Sequence, residues 1–68
     1  MATKWIAEGE APERRFVIEH APPVGFYFYV FEGDRCTHDY LQDGIEDAMT
    51  QAEEDFCIPR AAWRPAPT

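Results

Sequence analysis

Residues 26–32, FYFYVFE, are aromatic or β-branched at every position through Phe31, the residue set that suits a pleated surface. Gly33-Asp34 follows, a pair typical of a two-residue hairpin turn whose first position takes positive φ. Residues 35–41, RCTHDYL, then return as the partner strand. With Gly33 and Asp34 as the loop, Glu32 pairs with Arg35, an opposite-charge pair that supports the choice. Phe31 then faces Cys36, Tyr29 faces His38 and Tyr27 faces Tyr40. One face carries these six residues, and the other carries Phe26, Phe28, Val30, Thr37, Asp39 and Leu41. A slip of one residue would exchange the faces, because side chains alternate with a period of two.

Upstream, residues 13–20, ERRFVIEH, hold an apolar triplet between charged flanks and read as a strand. Ala21-Pro22-Pro23-Val24-Gly25 breaks it, since consecutive prolines donate no ladder hydrogen bonds. Residues 1–12 show no sustained periodicity around Trp5-Ile6 and read as a flexible N-terminal arm. Downstream, Ile45, Ala48, Met49, Ala52 and Phe56 fall on one stripe of a helix. Asp43 is placed to cap it, with Glu46 three residues on as a capping-box partner. Pro59 pushes Ile58 to extended backbone and ends the helix near Phe56 or Cys57. Glu53, Glu54 and Asp55 sit at its negative dipole end, where acids are unfavourable, and Arg60 and Arg64 are the candidates to fold back and offset them. Residues 65–68 read as a frayed tail.

The expected fold is α+β, a three-stranded antiparallel β-meander packed against one C-terminal α-helix, spanning residues 13–64. One helix covers one face of such a sheet. Phe26, Phe28, Val30 and Leu41 are expected beneath Ile45, Met49, Ala52 and Phe56. Tyr27, Tyr29, Phe31, His38 and Tyr40 are left on the other face as a candidate interface, since Tyr and His join an apolar body to a polar tip. The alternative cover for that face is the chain itself, through Trp5, Trp63 and the arm.

Sixty-eight residues bury only about 60% of the unfolded surface, so a domain of this size gains from a partner, and a symmetric homodimer is the commonest one. The formal net charge is −7, and its excess is local. Seven acids and no Lys or Arg lie between Cys36 and Pro59, while six acids and six bases balance elsewhere. Glu46, Asp47, Glu53, Glu54 and Asp55 form a candidate acidic face. Such a surface repels phosphate, which argues against nucleic acid or an anionic membrane as partner and leaves a basic protein as the alternative one. No apolar run approaches the ~20 residues of a membrane helix. None follows a basic start at the N-terminus, so no secretory leader is expected. Two cysteines are too few for a disulfide scaffold and read as thiols in a reducing cytoplasm.

The run YVFEGDRCTHDYLQDGIEDAMTQAEEDFCIPRAAWR resembles a group of small, uncharacterised bacterial proteins. They share an aromatic strand, a GDRC-like hairpin, an LQD-type helix start, an acidic Ala-rich helix and a Pro-x-x-AW ending. The resemblance covers about residues 25–64 and implies the fold boundaries and a bacterial origin, with no functional residue carried over. The strand–strand–strand–helix order is also similar to antitoxin domains of HicB type. Their helix begins with Gly-Asp-Thr, where this chain has Asp43-Gly44-Ile45-Glu46.

For catalysis and metal binding the signals are thin. Cys36 and His38 lie two apart on a strand, with Asp39 opposite and His20 on the preceding strand, yet there is no Cys-x-x-Cys pair and no His-x-x-x-His spacing. A nucleophilic Cys36 or Cys57 needs an electropositive setting, and the surroundings are acidic. No catalytic, metal or cofactor-binding residue is assigned and no cofactor is expected. The expected role is a non-enzymatic, cytoplasmic protein–protein interaction module forming a homodimer through its aromatic sheet face. The alternatives are an acidic antitoxin- or inhibitor-like protein that binds a basic partner, and a small metal- or thiol-dependent enzyme.

Overall fold

In the computed structural model, which describes residues 3–8 and 14–66, the aromatic strand lies second from the edge of a larger sheet. Five strands are present: β1 (Lys4–Glu8), β2 (Arg14–Ala21), β3 (Gly25–Glu32), β4 (Arg35–Gln42) and β5 (Arg64–Pro65). All pair antiparallel, in the order β4-β3-β2-β1-β5. The expected three-stranded meander is therefore corrected to a five-stranded antiparallel sheet with one helix, still α+β. The residues that overturn it come from both ends of the chain. Lys4–Glu8, within the segment read as an arm, pair with β2 from Lys4↔Glu19 to Glu8↔Arg15. Arg64 and Pro65 then pair with Ile6 and Trp5, and the Ala66 N–H donates to the Lys4 carbonyl at 2.8 Å.

The β3–β4 hairpin turns where the sequence predicts, and Gly33 takes φ 63° at the first loop position. Its first two pairs, Glu32↔Arg35 and Phe31↔Cys36, also follow the predicted register. A β-bulge then shifts the ladder by one residue. Val30 pairs with His38, Tyr29 with Asp39, Phe28 with Tyr40 and Tyr27 with Leu41. The Thr37 hydroxyl donates to the Val30 carbonyl at 3.3 Å beside the irregularity. An unbulged strand would have turned Asp39 beneath the helix, where an unpaired carboxylate costs several kcal/mol. The bulge turns it outward and brings Tyr40 in, stacked on Phe28 at 5.8 Å.

The single helix α1 (Ile45–Phe56) crosses one face of the sheet. Ala7, Phe16, Ile18, Phe28, Val30, Ala48, Ala52 and Ile58 make the buried core, with Phe56 and Trp63 packed against it. Phe56 lies 5.5 Å from Phe16 and 5.7 Å from Phe28. The predicted cap is not used: Gly44 occupies the N-cap and no side chain bonds the first turn. The C-terminus closes with Cys57 at φ 60°, its N–H bonded to the Glu53 carbonyl, and with the Ile58 N–H bonded to that of Ala52. This paired closure brings Ile58 down onto Ala52 and into the core. Arg60, in the short 3₁₀ turn Arg60–Ala62, reaches back to Glu46 and, at 2.7 Å, to Thr50 Oγ1. Arg64 bonds Glu8 instead, so neither arginine neutralises the acids at 53–55.

Gly25 opens β3 under a tight constraint. Its φ is +143°, and a Cβ there would stand 2.5 Å from the Gln42 carbonyl oxygen. Glycine lets β3 begin directly against β4 after the proline turn.

Candidate functional site

The face of the sheet away from α1 is where the alternation of four strands leaves apolar side chains without a covering layer. Across the strands, the pairings Ile6↔Val17 and Val17↔Tyr29 put three apolar groups in one row. Asp39 and Arg64 end that row at the two edges of the sheet. Two residues along, on one side, lie Lys4, Glu19, Tyr27 and Leu41; on the other side lie Glu8, Arg15, Phe31 and Cys36.

Among the described residues, none folds over this face. Trp5 lies 6.2 Å from Phe26, and Trp63 lies 6.2 Å from Phe28 on the helix side. Of the self-coverage that the sequence leaves open, both tryptophans are corrected, since they pack against the core on the helix side; residues 1–2 and 9–12 of the arm lie outside the described residues. Ile6, Val17, Tyr27, Tyr29 and Phe31 remain half-buried and Leu41 is 51% exposed.

The candidate interface predicted from sequence divides between the two faces. Tyr27, Tyr29 and Phe31 are brought together on the open face, with ring centroids 5.8 and 6.1 Å apart in succession. The bulge removes His38 and Tyr40 to the other side, where His38 meets Phe56 edge-on at 5.6 Å. It also turns Leu41, expected under the helix, out beside Tyr27. Sequence reasoning missed Ile6 and Val17 altogether, although one signal was available. KWIAE laid antiparallel on RFVIE sets Lys4 opposite Glu19 and Glu8 opposite Arg15, two complementary cross-strand pairs.

Two open concavities flank Tyr29. The larger, about 420 Å³, is floored by Ile6, Val17, Tyr29 and Phe31 and rimmed by Lys4, Arg15 and Glu19. The smaller, about 210 Å³, lies between Tyr29 and Leu41 beside Asp39. Lys4 and Glu19 make an ion pair at 3.6 Å, Arg64 and Glu8 at 3.3 Å, and the Arg15 guanidinium lies 5.3 Å above the Phe31 ring. Partial burial, with Glu19, Tyr27, Asp39 and Cys36 nearby, raises the Tyr29 hydroxyl above its ordinary pKa of 10.0. The phenol thus stays neutral and able to donate.

The acidic candidates Glu46, Asp47, Glu53, Glu54 and Asp55 are all exposed on α1, across the sheet from this surface. For metal chemistry, no three His, Cys, Asp or Glu side chains converge among the described residues. Cys36 and His38 are parted by the bulge, and His20 stacks on Phe26 at 4.3 Å. Both cysteines are free and exposed. No described helix is long and apolar enough to cross a membrane.

No protein-family model, curated protein or solved structure matches the chain.

Proposed function

We propose that this chain is a small protein–protein interaction module, acting without catalysis, that pairs with a second copy of itself through the open face of its sheet. The observation that carries the proposal is the apolar band of Ile6, Val17 and Tyr29, continued by Phe31, Tyr27 and Leu41, which no described residue covers. Contiguous apolar surface of this kind on a small domain marks an interaction site. Tyrosines suit it because burying the ring is favourable while the hydroxyl keeps a polar contact.

Charge supports a second copy as the occupant. A chain of net charge −7 repels itself on average. The open face escapes that average, because Lys4, Arg15 and Arg64 there balance Glu8, Glu19 and Asp39. The acidic excess is carried by α1, which would point outward from both sides of such a pair. Area is adequate as well. Five strands at ~4.8 Å spacing and about 20 Å of strand length give a footprint of about 500 Å² per copy, about 1,000 Å² for the two together, the size of a weak, reversible interface.

Sedimentation across a concentration series tests this. The expected result is a reversible dimer that Tyr29→Ala weakens about tenfold or more, as truncation of a central aromatic anchor does. A monomer at every concentration, or an equilibrium unmoved by Tyr29→Ala, would refute the proposal.

A further inference from the structure

The charges on the open face form a pattern that is self-complementary under only one of the two simple ways of stacking two copies. On one side of the row Ile6–Val17–Tyr29 stand Lys4 and Glu19; on the other stand Glu8 and Arg15. A half-turn about that row exchanges the two sides. It lays Lys4 on Glu8 of the second copy, and Glu19 on Arg15 of the second copy, each twice by symmetry. The same rotation lays Tyr27 on Phe31 of the second copy and stacks Val17 on its own equivalent at the centre. The other simple axis, parallel to the strands through β2, would put Glu19 on Glu19 and Arg15 on Arg15 in the middle of the patch, where like charges repel.

We infer that the two copies pair about a two-fold axis running across the strands along Ile6, Val17 and Tyr29, with Arg15 of each copy meeting Glu19 of the other. This inference rests on the self-association proposed above. Asp39 and Arg64 end the row at opposite edges of the sheet and fall over their own equivalents at the rim. There twisted sheets diverge and water screens the repulsion. Both members of the central pair can re-pair: Arg15 is exposed over Phe31, and among the described residues Glu19 pairs with the solvent-exposed Lys4.

Sedimentation equilibrium of wild type, Arg15→Glu, Glu19→Arg and the double variant tests the axis. Each single change should raise the dimer dissociation constant by at least about tenfold, because it sets two like-charge pairs at the centre. The double variant should return to within about threefold of wild type. Glu19→Arg is the decisive single. It makes the chain less acidic, so general repulsion alone would strengthen association, whereas the proposed pairing weakens it. A dimer that the singles leave intact, or that the double fails to restore, overturns this axis while leaving self-association standing. A wild-type monomer overturns both. Lys4→Glu, Glu8→Lys and their double repeat the test at the second pair should a β2 variant fail to fold.

Discussion

The two faces of the sheet are made by the same strands, with opposite consequences. Toward the helix, alternate positions of β1, β2 and β3 place Ala7, Phe16, Ile18, Phe28 and Val30, all essentially inaccessible to solvent. Away from it, the intervening positions place Ile6, Val17, Tyr27, Tyr29 and Phe31, all half-buried. Buried polar or charged residues are absent from the described core, whereas ion pairs rim the apolar centre of the open face. The covered face is built to be dry and permanent. The open face has the composition of an interface, an apolar centre with a charged rim, and one strand alternation supplies both faces.

Substitutions that strike one face at a time should separate the two roles. Phe28→Ala has the largest expected effect. Phe28 is fully buried against Phe16, Tyr40, Phe56 and Trp63, and truncation should cost about 3–5 kcal/mol. A 68-residue domain has little more than that to lose, so circular dichroism should show a chain mostly unfolded at 25 °C. Next comes Cys57→Gly, which relieves a left-handed residue at the helix end. It should stabilise the fold by about 0.5–1 kcal/mol in a denaturant titration, and leave any dimer constant unchanged because the open face is untouched. A change in association with no change in stability would break the separation.

The smallest effect concerns pH. The Tyr29 pKa is raised in the folded chain, first by partial burial and then by Glu19. The stability tied to its neutral form is therefore fully present below the unfolded value of 10.0 and is lost as pH rises through the folded one. Wild type should lose its denaturant midpoint more steeply above pH 10 than Tyr29→Phe does. Identical alkaline profiles would show that the phenol senses neither the sheet nor its acidic neighbours.

The hairpin, the proline turn and the end of the helix could be read from residue pattern because each depends on local chemistry: Gly33 at the turn, Pro22-Pro23 after β2, Pro59 after the helix. The outer strands could not. Lys, Ala and Glu in KWIAE have weak strand preference, and two residues of β5 carry no periodicity. Both exist because pairing with β2 or β1 satisfies their backbone. The bulge was equally hidden. Turn geometry sets the register only as far as Cys36, and beyond it tertiary packing decides, drawing Tyr40 toward Phe28 and releasing Asp39. So Tyr27, Tyr29 and Phe31 were placed together correctly on β3, while His38 and Tyr40 on β4 were placed on the wrong side.

The most direct test of the open face as the meeting surface is to follow backbone amide and methyl NMR shifts on serial dilution. Self-association through this face should give concentration-dependent changes centred on Ile6, Val17, Tyr29 and Phe31, with α1 unmoved. Changes confined to α1 or to the free edge of β4, or spectra that do not depend on concentration, would contradict it.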